Sequence, residues 1–326
     1  MTVDACDVTP STCQLDANGK SRNMWPNGAP FALFLSHDVD QVYDRGFYRT
    51  LGDINHFQRL LRGKDYGNKA ACWRRMGRSL LHPKGWRRQF ERILTIESAY
   101  GWRSTFFFLE GNRWSRYGAR YALEDPPIRE LAALLINADC EIGVHGGYHD
   151  FNRAAGYRRS SERLESAFGI KPVGIRNHFL KFSYPETWQA QAEGGFLYDA
   201  TFGMSDRPGF RDELMQPFIP ENPQSGAPID IVVLPLTVMD FTLFQTLGLG
   251  QEEALDALDS LLEQAKDAGG LLSLLWHNNY FDEPEYRIWE EVYAEFLRRI
   301  STCKPYCGTG AEIARWWRSR SCKAGA

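Results

Sequence analysis

Short apolar runs rich in branched and aromatic residues recur along the chain and alternate with segments of helical periodicity. The runs cover residues 31–37, 104–109, 140–145, 173–176, 197–201, 231–236 and 271–277. Most lack a polar face, which is the pattern of strands buried on both sides of a parallel sheet. Between them the apolar positions change to helical spacing. Pro126 and Pro127 open one such segment, with Ile128, Leu131, Leu134 and Leu135 on its stripe. A second begins at Pro185 and stops at Gly194 and Gly195. A third carries Leu255, Leu258, Leu261, Leu262 and Ala265 and ends at Gly269 and Gly270. A fourth, after the last strand, buries Trp289, Val292, Tyr293, Phe296 and Ile300. Thr309 and Glu312 have the spacing of a capping box and open a final helix, with Ile313, Trp316 and Trp317 as core residues. About seven βα repeats predict an α/β chain whose strands form a barrel rather than an open sheet.

One interval breaks this rhythm. Residues 41–103 separate the first two strands, whereas a βα connection with its helix needs only about a dozen or two. The interval carries fourteen basic and five acidic residues, a net charge of about +9 in a chain whose total is -3. It reads as a helical, basic insertion within one domain spanning residues 1–326. Such a patch suits a phosphate group or the surface of a membrane as partner, and equally a solvated helical cover. The slightly acidic chain as a whole excludes a general nucleic-acid binder. No apolar run approaches the roughly 18 residues of a membrane span. The polar, acidic first twenty residues do not read as a signal peptide. Seven scattered cysteines argue against a disulfide framework and for a cytoplasmic location, with Cys303 and Cys307 read as loop thiols.

Polar residues gather where the strands end, the face on which β/α barrels build active sites. The first strand ends in Ser36-His37-Asp38-Val39-Asp40, and the third in His145-Gly146-Gly147-Tyr148-His149-Asp150. The fourth ends in Arg176-Asn177-His178, and the last in Trp276-His277-Asn278. Strand alternation puts Asp38 and Asp40 on one side, so one carboxylate can ligate a metal while the other acts as a base. His145 and His149, four residues apart, can reach one metal from a turn. Two histidines and a carboxylate with open positions describe a catalytic rather than a structural metal site.

These segments resemble the polysaccharide deacetylase family, the NodB-homology group also called carbohydrate esterase family four. The resemblance rests on Leu35 to Asp40, Thr105 to Phe108, Glu141 to His149, Gly174 to Arg176 and Leu274 to His277, in the family's order. Asp38-Val39-Asp40 departs from the usual pair of adjacent aspartates and is similar to a subgroup that includes peptidoglycan deacetylases and cyclic-amide hydrolases. The resemblance implies a distorted seven-stranded (β/α) barrel. It implies a divalent metal held by Asp40, His145 and His149, and imidazole with carboxylate suits zinc. It makes Asp38 the base, Arg176 its partner and His277 the acid, with the spacing leaving Asp38 and Asp40 open to exchange. Asp240 and Asp199 are both candidates for orienting His277, and Asp240 is placed in the site. Tyr280, Trp276, Phe179 and Tyr148 are candidates for stacking on a sugar ring.

The implied activity is a metal-dependent hydrolase releasing the acetyl group of an N-acetylated amino sugar during glycan or lipopolysaccharide precursor synthesis. The sugar is expected to be free or linked to a nucleotide or lipid phosphate. Two alternatives stand beside it: hydrolysis of a formamide or cyclic imide on the same fold, and a sugar-binding barrel without activity.

Overall fold

The computed structural model describes residues 25–42, 58, 61, 85–110, 117–119 and 121–321. Nine strand segments form one sheet: β1 (Ala32–Val39), β2 (Thr105–Leu109), β3 (Glu141–Gly146), β4 (Gly174–Asn177), β5 (Tyr198–Asp199), β6 (Val232–Val233), β7 (Val238–Met239), β8 (Leu271–Leu275) and β9 (Tyr306–Cys307). Their order is β6-β5-β4-β3-β2-β1-β8-β7, with β9 beside β1, and every pairing is parallel.

The ring closes through one stretch of chain. β6 pairs with β5 at one edge of the path, and β7 pairs with β8 at the other. Only four residues separate β6 from β7, and their amides keep both sides supplied. Leu234 N–H donates to Asp199, Leu236 N–H to Phe202, and Thr237 N–H to Ser273. The stretch thus serves as a single broken stave, and seven staves surround the interior. This is the distorted seven-stranded barrel that the resemblance implied. β7 and β9 are additions to the sequence reading, and the strand expected at 271–277 stops at Leu275.

Seven helices among the described residues cover the wall: α1 (Gly85–Ser98), α2 (Pro126–Asn137), α3 (Ala154–Phe168), α4 (Glu186–Glu193), α5 (Gln251–Ala268), α6 (Arg287–Thr302) and α7 (Gly310–Ser321). α1 fills the end of the interval read as an insertion, and most of the rest of that interval lies outside the described residues. Among the described residues, no helix is long and apolar enough to cross a membrane.

Alternation along β1 assigns its two faces. Leu33, Leu35 and Val39 point outward into the large core beneath the helices. Ala32 and Phe34 point inward, to a smaller core with Phe107, Tyr198, Val232 and Leu234. Further along the inner face come Ser36 and Asp38, both buried. The apolar amino end of the barrel therefore grades into a polar carboxyl end on the same row of side chains.

α7 plugs the amino end. Its expected capping box is present: Thr309 N–H donates to Glu312 Oε2 at 2.9 Å, and Glu312 N–H reaches Thr309 Oγ1 at 3.4 Å. Glu141, half-buried at the barrel floor, accepts from Ala311 N–H at 2.8 Å and from the Tyr198 hydroxyl at 3.0 Å. Burial raises its pKa despite those donors. With the floor sealed in this way, the carboxyl-end mouth is where a ligand can enter.

Candidate active site and metal centre

The parallel registers gather the strand ends. His145 pairs with Leu109 on one side and with Arg176 on the other, while Asp38 lies opposite Phe107. Arg176 is fully buried, and every arm of its guanidinium is satisfied. Nε donates to Ala200 O at 2.9 Å, one terminal nitrogen to Asp38 Oδ1 at 2.9 Å, and the other to Ser36 Oγ at 2.9 Å. The Phe107 ring lies 4.6 Å beneath it. Gly143 makes room for that ring, since a Cβ there would stand 2.6 Å from it.

Asp38 is 3% exposed. Burial works against its charged form, but His145 and Arg176, with a smaller share from His277, outweigh burial and hold its pKa below the ordinary carboxylate value. Asp38 is therefore ionised at neutral pH. Its second oxygen, Oδ2, lies 3.6 Å from His145 Nε2.

Asp40 follows on the same row and meets two imidazoles. Its Oδ1 is 3.4 Å from His145 Nε2 and 3.6 Å from His178 Nε2. That oxygen is buried and has no hydrogen-bond partner. The distances are too long for good hydrogen bonds. They match the separation of about 3.4 Å between ligand atoms on a tetrahedral cation with bonds of about 2.1 Å. Asp40, His145 and His178 form a group whose ligand atoms all lie within 4.8 Å of one another. The tautomer also fits. His145 Nδ1–H donates to the Arg176 carbonyl at 2.9 Å, which leaves Nε2 to offer its lone pair. Burial, aided by the nearby His145, lowers the His178 pKa to about 4, so that imidazole is neutral at pH 7. An orphaned carboxylate oxygen and two imidazole nitrogens at this spacing fit a divalent cation.

His149, expected from sequence to be the third ligand, is not brought to this group. Spacing of four residues aligns two imidazoles on a helical turn, but His145 sits in β3, which ends at Gly146. The chain then turns, and the His149 ring stands edge-on to Tyr148 and Tyr117, at 5.3 and 5.9 Å. His178 occupies the position by a different logic. It lies two residues after Arg176, so alternation sends it to the same face. The next two residues, Phe179 and Leu180, both have left-handed φ values of 59° and 49°. Two non-glycine residues in that conformation store strain, which is typical of functional turns. Here the turn presents His178 to the cavity and leaves the Phe179 side chain at its rim, 61% exposed.

His277 follows β8. Its Nδ1 lies 2.8 Å from Asp240 Oδ1, and its backbone N–H donates to Asp240 Oδ2 at 2.7 Å. Burial opposes a charged imidazole there, but Asp240, then Asp40 and Asp38, push its pKa up to about 9. Asp240 is thus the partner of His277. Asp199 is engaged elsewhere, accepting from Trp188 Nε1 at 3.1 Å and Gln191 Nε2 at 2.9 Å.

Asp38, Asp40, His145, His178 and His277 all line one cavity of about 490 Å³. Phe179, Phe241 and Tyr280 supply aromatic surface to it. Of the other aromatic candidates, Trp276 is fully buried core, and the Tyr148 ring stacks on Tyr117 at 4.1 Å and carries the Lys181 ammonium 3.9 Å from its centre.

No protein-family model matches the chain, and no curated protein matches it. Solved structures do. An allantoinase aligns over 94% of this chain and 97% of its own, at 18% identity and a TM-score of 0.60. A protein from Pseudomonas aeruginosa PAO1 described as a polysaccharide deacetylase aligns over 94% and 98%, at 18% identity and a TM-score of 0.59. Another so described, from Mycobacterium smegmatis, aligns over 93% and 95%, at 21% identity and a TM-score of 0.58. The chain therefore has the distorted β/α-barrel fold that these polysaccharide deacetylase and allantoinase structures share.

Proposed function

We propose that the protein is a metal-dependent amide hydrolase that removes the acetyl group from an N-acetylated amino sugar. The observation that carries this reading is the juxtaposition, in one cavity, of three groups with different tasks. Asp40, His145 and His178 would hold a divalent cation, zinc by ligand type. Asp38 is an ionised carboxylate free of that set, and His277 is a protonated imidazole.

When bound, the cation supplies Lewis acidity to an amide carbonyl and to water. The protein's residues do the rest. Asp38, held by Arg176 and ionised, accepts a proton from the attacking water. His277, oriented through Nδ1 by Asp240, directs Nε2 towards the cavity and donates a proton to the departing nitrogen. That donation matters because amines leave poorly as anions. Arg176 fixes Asp38 in place and shields its charge from neutralisation. Phe179 at the rim offers a flat apolar face to a sugar ring.

His277 must begin the cycle protonated, so its pKa sets the basic limb of activity. Its pKa of about 9 predicts that kcat holds through neutral pH and falls as pH rises past about 9. The pH dependence of kcat in the metal-loaded protein checks this.

The function itself is tested by acetate release from a panel of N-acetylated amino sugars, free and phosphate-linked, assayed with and without zinc. The panel should include allantoin and a simple formamide. Zinc-dependent acetate release from a sugar supports the proposal. Turnover of allantoin or the formamide alone would replace it with cyclic-amide or formamide hydrolysis, the reading that the allantoinase fold likeness keeps in view.

A further inference from the structure

His37 precedes Asp38 on β1, yet alternation turns it out of the cavity and into the wall. It is fully buried. Its ring stacks on Phe106 at 4.7 Å and meets Phe281 and Tyr293 edge-on at 6.1 Å each. A residue that only filled this apolar space would have no need of nitrogen atoms, but both of its nitrogens have oxygen partners. Nε2 lies 2.8 Å from Glu97 Oε1 on α1, and Nδ1 lies 2.6 Å from the Trp276 carbonyl oxygen. Glu97 is itself 1% exposed and accepts from the hydroxyls of Ser104 and Tyr293, each at 2.6 Å.

The Trp276 carbonyl and the His277 N–H belong to one peptide group. That N–H donates to Asp240 Oδ2, and the other oxygen of Asp240 orients the His277 ring. An unbroken line of hydrogen bonds therefore runs from Glu97 through His37, the 276–277 peptide and Asp240 to His277. Its direction follows from the donor inventory. A carbonyl oxygen only accepts, so His37 Nδ1–H donates to the Trp276 carbonyl. A donor on the peptide carbonyl polarises the amide and strengthens its N–H as a donor in turn. A stronger N–H bond stabilises the Asp240 carboxylate, which stabilises the charged form of His277.

We propose that His37, anchored by Glu97, is a positioning residue for His277, clamping and polarising the peptide that holds Asp240. The proposal rests on the reading of His277 as proton donor.

The test uses the zinc-loaded protein in three variants. His37→Phe keeps a ring and removes both nitrogens. His37→Asn keeps a donor near the Nδ1 position. Glu97→Gln keeps hydrogen-bonding capacity and removes the anchor's charge. Two readouts are taken: kcat and KM across pH, and the titration midpoint of the His277 imidazole by NMR without substrate. Asp38, Asp40 and Tyr280 also face His277, and none of them changes in these variants.

In His37→Phe, kcat should fall about tenfold, the factor that a lost hydrogen bond of ordinary strength represents, with KM nearly unchanged. The basic limb and the His277 midpoint should both move towards neutrality. Glu97→Gln should shift them the same way, and His37→Asn should restore most of kcat. Should His37→Phe not fold, the other two variants decide. Folded variants with wild-type kcat and an unmoved His277 midpoint would reduce His37 to packing and overturn the proposal. A shifted midpoint with unchanged turnover would uphold the clamp and remove His277 from the proposed chemistry.

Discussion

Asp38→Asn is expected to keep its metal and lose turnover by about 10²–10⁴-fold, the range that a positioned acid or base contributes. Asp40, His145 and His178 stay as they are, because Asp38 lies outside the group they form. What disappears is the carboxylate that accepts water's proton. Stability falls too. Arg176 retains Ala200 O and Ser36 Oγ but loses its only anionic partner among the described residues, in a fully buried place. Leaving a buried charge unpaired typically costs about 3–5 kcal/mol. The sign with pH follows from the lowered Asp38 pKa. Its stabilisation is present above the unfolded-state pKa and is lost as pH falls through the lower folded value. The variant should therefore show a flatter stability profile in acid than the wild type. Metal content, kcat and thermal midpoints measured on one preparation check all three points. A metal-free Asp38→Asn protein would make Asp38 a ligand and exchange its role with Asp40.

His178→Ala is expected to weaken zinc binding by more than the roughly 10–100-fold typical of groups that only orient a ligand. Activity should vanish with the metal. His149→Ala should bind zinc with near wild-type affinity, because its ring rests among Tyr117 and Tyr148. The contrast is sharp because the two histidines are separated by sequence logic and by geometry in opposite ways. A zinc titration of both variants decides between them. Loss of zinc in His149→Ala with retention in His178→Ala would restore the four-residue spacing as the ligand set and require the 147–150 turn to rearrange around the ion.

The sequence carried the wall of the barrel because buried parallel strands leave a plain signal. Uninterrupted runs such as Phe106-Phe107-Phe108 or Leu271-Leu272 have no polar face to confuse with a helix. Closure was less visible. The run at 231–236 reads as one strand, whereas the chain leaves β5 at Val233 and joins β8 at Val238, a change of partner that no periodicity encodes. β9 has only two residues, too few to alternate. Asp38, Arg176 and His277 were legible because each ends a strand on the face where loops converge. His178 was set aside because it has no assignable counterpart in the family's pattern, and the spacing of His145 and His149 looked like a ligand pair. That spacing implies shared direction only in a helix, and the chain there leaves a strand into a turn. Alternation from Arg176 carried the missing signal. The partner of His277 needed three dimensions, since Asp199 and Asp240 both follow strands and only one reaches the ring. Glu97 and His37 are 60 residues apart, and nothing in either segment announces the other.

The most direct measurement is the metal content of the purified protein beside His145→Ala, each before and after exposure to zinc. His145, like Asp40, belongs both to the ligand set the sequence motif implies and to the three-dimensional group. About one divalent metal per chain is expected in the wild type, and little in the variant even with added zinc. A wild-type protein that is metal-free and refuses zinc would contradict that expectation, and would leave the cavity as a binding site for sugars rather than a centre for their hydrolysis.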